Sequence, residues 1–517
     1  MSGSILSDRE REVLEAISRL AYGNPFGTDR PRWEREVLGE AFIPIGVVWH
    51  ARADRADTNP NIARITERAG ELAEALRERF ARRARPHAGD LDLYRDAVLH
   101  LLYNRYEDPL YQAITGSRAE GRRPSFRFFR DFQADLSRYL DLPKVSWSEP
   151  LDPAHLFACF FQIRRAFHLT FHHIIGGSLP AARLRAQVWQ SVFTHDLRRY
   201  LRSLYQRMGD VTTLVTGPSG TGKELVARAI AYSRYIPFDA EAMTFRESWE
   251  ESFFPLNLSA LSPTLIESEL FGHRRGAFTG AVADRAGWLE VCPPLGTVFL
   301  DEIGEIDPAI QVKLLRVLET RSFQRLGETK PRRFQGKIVA ATNRDLAAEM
   351  RAGRFRADLY YRLCSDILVT PSLRERLADS PRELSDLVLF LVQRMVGEEL
   401  AEEVAGEVES WIRERLGPGY PWPGNVRELA QCVNNVLIRR EYQPAEEAGA
   451  GGARERLLED LGAGRLSAEE ALGRYCTLVY AQSGSYEEAA RRLGLDRRTV
   501  RARVDADLLR ELRDLTP

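Results

Sequence analysis

The residues whose spacing carries the most chemistry are Gly217, Pro218, Ser219, Gly220, Thr221, Gly222 and Lys223. Glycines at that density let successive backbone N–H groups curl around an anion, and a lysine closing the run reaches the outer phosphates of a nucleoside triphosphate. The bland alternative is a tight strand-to-helix turn. Glu224 comes next, where Ser or Thr usually offers a hydroxyl to Mg²⁺. Asp301 and Glu302 close the apolar run that starts at Thr297. One acid there can hold Mg²⁺, directly or through its waters, and the other can orient or deprotonate an attacking water. Otherwise the pair is a solvated strand end. Asn343 closes a second apolar run from Lys337 and suits a sensor of the terminal phosphate. Arg356 and Arg362 are either surface charge or cations offered to a neighbour's phosphate. Arg427, near the start of a further helix, is placed to reach back to the nucleotide.

These groups need a scaffold with strand ends and helix starts side by side. Thr212 to Val215 reads as a buried strand, and Leu225, Val226, Ala229 and Ile230 recur at helical spacing behind the glycine loop. That order sets the loop at a helix N-terminus, whose positive end favours phosphate. Phe254 to Leu258 reads as a second strand with Asn257 near its end, so the centre of the chain is an α/β core. Glu267 to Phe271 is helical and runs into Gly276-Ala277-Phe278-Thr279-Gly280-Ala281. Small residues at both ends permit a hairpin-like excursion that exposes Phe278, or alternatively a packed turn.

The flanks are helical. Ser7 and Glu10 form a capping box ahead of Val13, Leu14, Ile17 and Leu20, and helical spacing recurs over 63–84 and 91–106. Aromatic density across 126–161 indicates a real core. His168 and His172, four apart, could hold a metal but read better as packing, with no third ligand in view. Residues 174–210 read as a Gly-Gly turn followed by one long arginine-bearing helix, and 235–252 as an acidic, aromatic insertion. Gln443 to Arg454 is a Gly/Ala/Glu linker. Beyond it, Ser485 and Glu488 suggest another capping box, Gly494 a turn, and Asp496 the cap of a helix that buries Val500 and Val504. Arg497, Arg498, Thr499, Arg501 and Arg503 on that helix suit a DNA major groove, or else form a solvated face of a protein-binding bundle.

Composition bounds the rest. A chain of 517 residues, 44% hydrophobic and 28% charged, is ordinary soluble protein of roughly three domains. A net charge of −1 hides arginine-rich stretches, so it decides nothing about nucleic acid. Five cysteines without a C-x-x-C pattern read as reduced thiols of a cytoplasmic protein. The most apolar run, 157–175, carries Arg164, Arg165 and three histidines, which suits a buried helix and not a membrane span.

From about residue 173 onward the chain closely resembles the bacterial enhancer-binding proteins, the AAA+ activators of sigma-54 RNA polymerase. GPSGTGKE at 217–224, GAFTGA at 276–281, GTVFLDEIGE at 296–305, ATNRDL at 341–346 and WPGNVREL at 422–429 carry the likeness. The resemblance implies an AAA+ ATPase subdomain over 173–372, a helical lid over 373–442, a linker over 443–466 and a Fis-type helix-turn-helix over 467–517. It implies ATP and Mg²⁺ as cofactors, with Glu224 part of the family's loop. Asp301 and Glu302 become the catalytic acids, Asn257 the residue that holds Glu302, Asn343 the phosphate sensor and Arg427 a second sensor. Arg356 and Arg362 become fingers reaching into the next subunit of a ring, a hexamer by expectation. Gly276 to Ala281 becomes the contact with sigma-54 holoenzyme, and the C-terminal helix binds double-stranded enhancer DNA. Other readings are an AAA+ remodeller with a different client and a DNA-bound repressor with ATP as a structural ligand. Three departures stand out: the lengths of 179–210 and of the stretch before Asn257, and a helical regulatory region, 1–172, unlike receiver, GAF or PAS domains.

Overall fold

Apolar strand sequences place five parallel strands side by side: β1 (Thr213–Thr216), β2 (Phe253–Asn257), β3 (Thr297–Asp301), β4 (Lys337–Thr342) and β5 (Asp366–Val369). Their order is β5-β1-β4-β3-β2 in this computed structural model. It describes residues 5–46, 59–82, 87–120, 126–143, 145, 147, 151–444, 460, 466–505 and 508–509. Every residue of β4 is buried, as a strand covered on both faces requires. Leu214 faces one core with Leu300 and Ile338, while Val215 faces the other with Phe299 and Val339. The glycine loop after β1, Asp301 and Glu302 at the end of β3 and Asn343 after β4 then lie at the C-terminal strand ends, where open parallel sheets bind ligands.

Residues 1–437 form one compact unit and 438–517 a second. The first begins with α1 (Asp8–Tyr22), α2 (Arg30–Leu38), α3 (Pro60–Arg82), α4 (Ala88–Arg105), α5 (Glu107–Glu120), α6 (Phe129–Leu140) and α7 (Pro153–His173). Ser7 and Glu10 make the expected capping box on α1. Helices cover 63–82 and 91–105 as their spacing predicts, Tyr106 being the cap of the second, while 83–84 lie outside the described residues. Pro86 and Pro150, prolines whose sequence positions suit interruptions between helices, also lie outside them. His168 stacks on His172 and meets Tyr111 edge to face.

One expectation needs correcting here. The stretch 174–210 is not one long helix. It divides into α8 (Leu179–Phe193) and α9 (Leu197–Arg202), because Thr194 takes a left-handed conformation (φ 64°) and Asp196 recaps the chain on the Arg199 N–H at 2.9 Å. The insertion at 235–252 has a partner. Its antiparallel hairpin pairs Phe238 with Phe245, and both rings, with Ile236 and Trp249, belong to the core built by α1, α3, α4, α6 and α7. Phe238 lies 4.7 Å from the Phe157 ring and Phe245 4.4 Å from Phe161. The helical region and the α/β core thus share one hydrophobic interior. Burying an aromatic side chain contributes roughly 1.5–3 kcal/mol, so this hairpin is a strong clamp.

Helices Leu373–Asp379, Arg382–Val396, Glu398–Arg415 and Asn425–Arg439 follow the sheet. Most of the linker, 445–459 and 461–465, lies outside the described residues. In the second unit, helices Ala468–Ser483, Tyr486–Leu493 and Arg497–Arg503 close over Cys476, Val479, Ala489, Ala490 and Val500. Gly494 (φ 66°) makes the turn and Asp496 caps the last helix through the N–H groups of Arg498 and Thr499. Ser485 is the correction: its side chain makes no cap, and Glu488 pairs with Arg491 and Arg492 instead of returning to it. Arg497, Arg498 and Arg501 are exposed, Thr499 and Arg503 half-buried. Among the described residues no helix is long and apolar enough to cross a membrane.

Candidate active site

The glycine loop bends as it does because two glycines lie where no side chain fits. Gly217 (φ 145°) would put a Cβ 2.1 Å from Thr370 Oγ1, and Gly220 (φ 76°) would put one 2.2 Å from the Gly424 carbonyl oxygen. Gly222 (φ 91°) sets the start of α10 (Lys223–Tyr232). Thr221 Oγ1 donates to the Pro218 carbonyl at 2.8 Å and lies 2.7 Å from Thr370 Oγ1. Loop, β5 end and helical lid are therefore in direct contact.

Lys223 is buried inside the loop, its ammonium donating to the carbonyls of Gly217 at 3.0 Å and Pro218 at 3.2 Å. Burial lowers its pKa, against the opposing fields of Glu302 and Asp301. Asp301, at the end of β3, is raised by burial first and by Glu302 second. Two adjacent carboxylates and one desolvated ammonium form a site whose charges are incompletely balanced among themselves, a setting that favours a cation-bridged polyphosphate. Glu302 has φ 54°, uncommon for a residue with a side chain, and the backbone N–H of Asn343 donates to its carboxylate at 3.2 Å. That bond fixes Glu302 beside the strand end of β4.

The other sequence candidates are placed as follows. Arg427 reaches the loop, Nη1 lying 3.2 Å from Ser219 Oγ. Glu224 faces away into an ion pair with Arg228 at 2.7 Å. Arg356 and Arg362 are exposed at either end of the helix Ala357–Leu363; Arg356 pairs with Asp358 at 2.6 Å and Arg362 approaches Glu319 at 3.9 Å. Asn257 sits in register with Asp301, yet its Oδ1 accepts from Ser259 N and Oγ at 3.0 and 2.8 Å. Among the described residues Glu302 is held by the backbone N–H of Asn343 and not by Asn257, so the expectation that Asn257 holds Glu302 is corrected for this conformation.

Two residues matter here that sequence reasoning passed over. Asn425 (φ 53°) donates through Nδ2 to the Ser219 carbonyl at 2.9 Å and accepts the Leu373 N–H on Oδ1 at 2.8 Å. It links the loop to the first lid helix. Thr370 accepts nothing from motif logic, but its hydroxyl and backbone fill the space Gly217 leaves open. The Gly-Asn pair in Trp422–Arg427 was the available signal for Asn425; Thr370 has none.

From Ser259 the chain enters α11 (Pro263–Phe271) and then the loop 276–281, framed by the short pairing of Gly272–His273 with Arg285–Ala286. Gly276 (φ 83°) and Gly280 (φ 99°) flank it, and Gly276 N–H donates to the Ala281 carbonyl at 2.9 Å. Thr279 is exposed at the tip and Ala281 is buried. Phe278 is half-buried, its ring edge-on to His273 at 5.0 Å, between the exposed tip and the packed turn that the sequence allows; Val282, 83% exposed, is the bare apolar residue just after the loop.

The glycine cradle, buried lysine and paired acids at the ends of a parallel sheet define a phosphate-loop α/β core of AAA+ type, and the residues present fit a nucleoside triphosphate with Mg²⁺. The model of the Sigma-54 interaction domain matches residues 190–368. The chain is 47% identical over 230 residues to the Nif-specific regulatory protein of Azotobacter vinelandii, covering 44% of this chain and 40% of that protein. It is 45% identical over 229 residues to the hydrogenase transcriptional regulatory protein HoxA of Bradyrhizobium diazoefficiens, covering 44% and 43%. With the transcriptional regulatory protein ZraR of Escherichia coli O157:H7 it shares 40% identity over 344 residues, covering 65% of this chain and 72% of that protein. It spans less than half the length of the first two relatives. The chain belongs to the family of sigma-54-dependent transcriptional activators, the bacterial enhancer-binding proteins.

Proposed function

We propose that this chain hydrolyses ATP in a ring of its own copies, a hexamer, and uses the energy to convert closed complexes of sigma-54 RNA polymerase into open ones. The observation that carries the reading is the meeting of Lys223, Asp301, Glu302 and Arg427 at the glycine loop, joined by α11 to the loop 276–281. Residues 217–223 and Arg427 would hold the triphosphate, with Glu224 oriented toward Arg228 behind them. Asp301 would hold Mg²⁺, which neutralises phosphate charge when bound. Glu302 takes the proton of the attacking water, and Asn343 keeps that carboxylate aimed. Arg356 and Arg362 of one subunit serve the site of the next.

Asn257 is the relay. Its amide oxygen holds Ser259 here, and its Nδ2 group would donate to the Glu302 carboxylate in another nucleotide state; making and breaking that bond would re-aim the start of α11 and therefore Phe278 and Thr279 against sigma-54. Only a difference in binding energy between nucleotide states can drive such a swing. Arg497, Arg498, Thr499, Arg501 and Arg503 would bind double-stranded enhancer DNA in the cytoplasm, the first two turns of an exposed basic helix suiting a major groove. Residues 1–172 form the regulatory region.

The test is promoter opening by the full chain with sigma-54 holoenzyme. Thr279→Ala should keep ATP turnover and lose open-complex formation, whereas Glu302→Gln should keep ATP binding and lose turnover. Equal loss of both activities in Thr279→Ala would overturn the coupling.

A further inference from the structure

Away from the nucleotide site, the helical region holds a cavity of about 170 Å³ lined by residues of α1 to α5 and α7 to α9. Its wall is mostly apolar. Leu20, Tyr103, Ile163 and Phe167 line it yet are only half-buried, and buried Trp189 of α8 lines it as well. An apolar side chain left part-exposed between packed helices forfeits hydrophobic and dispersion stabilisation that an occupant would restore.

The polar groups on the wall are few and each has a chemical meaning. Arg30 pairs with Glu34 at 2.7 Å and Glu107 with Arg164 at 3.5 Å, so the wall's fixed charges cancel. His100 is pushed down to about 4 by burial and is therefore neutral at pH 7. Asn104 lies beside it, its Nδ2 donating to the His100 carbonyl at 2.8 Å and lying 3.3 Å from His100 Nε2. The mostly apolar wall thus carries a neutral imidazole and a neighbouring amide, and no net charge.

We propose that this cavity is a binding site for a small, neutral, ring-sized organic molecule carrying one hydrogen-bonding group. Size argues for one ring, since an engineered apolar cavity of about 150 Å³ in another protein takes up benzene. Charge balance argues for neutrality, because an ion entering would lose its hydration without a free countercharge. The imidazole and amide argue for a single polar substituent, with the aromatic and branched side chains around the rest of the ring. An occupant would rest on Trp189, on the helix whose other end is hydrogen-bonded to the lid through Ser178 N to Glu383 at 2.8 Å and Leu179 N to Asp379 at 2.7 Å.

Calorimetric titration of the full chain with benzyl alcohol and with benzoate tests this. Benzyl alcohol should bind saturably at one site, and benzoate, the same ring bearing a carboxylate, at least about tenfold more weakly. Ile163→Phe and Leu20→Phe each fill the chamber and should weaken benzyl alcohol binding by about tenfold or more while leaving ATP binding as in the parent. Unsaturable heats, equal affinity for benzoate, or unchanged affinity in whichever filled variant keeps the parent's circular dichroism would each overturn the assignment.

Discussion

Asn425→Ala isolates the joint between the glycine loop and the lid. The side chain is 4% exposed and bonds two backbone groups that belong to different elements, the Ser219 carbonyl and the Leu373 N–H. Leaving a buried backbone group unsatisfied costs about 1–3 kcal/mol, with the part-buried Ser219 carbonyl toward the low end. Alanine at φ 53° adds about 1 kcal/mol that asparagine largely avoids. The joint should therefore weaken by about 2–4 kcal/mol, and at about 1.4 kcal/mol per tenfold ATP affinity should fall by more than tenfold. Asn425→Gly keeps the backbone conformation and loses only the hydrogen bonds, so it should lie between Ala and the parent. Titration with a fluorescent ATP analogue, alongside thermal unfolding, reads both effects. An alanine variant with the parent's ATP affinity would refute the idea that this residue ties lid to loop.

Other outcomes follow from the same geometry. Lys337 is enclosed, and burial pushes its pKa from 10.5 down to about 7. The unfolded chain therefore binds a proton that the folded one refuses between about 7 and 10.5, so this lysine's contribution makes stability rise with pH across that window. Lys337→Met should remove that rise, most visibly as a melting-temperature difference from the parent that changes between pH 7 and pH 10; parallel profiles would contradict it. Gly220→Ala should abolish ATP binding, since its Cβ meets the Gly424 carbonyl at 2.2 Å, whereas Gly276→Ala, with φ 83° but open space around it, should cost only about 1 kcal/mol in thermal unfolding. Comparable damage from both would show that backbone strain, not the close approach, governs the loop.

Much of the site was legible because its parts are contiguous in the chain. A strand, a glycine turn and a helix occupy 213–232 in unbroken order, and each acid or amide ends an apolar run, so local pattern and final position coincide. Asn425 and Thr370 escaped because their importance comes from partners about 150 to 200 residues away, which periodicity does not report. The break at Thr194 escaped for a different reason: a left-handed threonine carries no glycine signature. Ser485 shows the opposite failure, a capping pattern undone because Glu488 had two arginines within reach. The sequence allows Phe278 either an exposed tip or a packed turn, since nothing local announces His273 as its neighbour.

The hairpin at 238–245 changes how this protein can be dissected. Cutting the chain at residue 172 would strip the cover from Phe238, Phe245 and Trp249 and leave a greasy scar on the remaining ATPase core. Aggregation or altered turnover of such a fragment would then report the wound and not the release of a brake, so regulation here is better dissected by point substitution than by scissors.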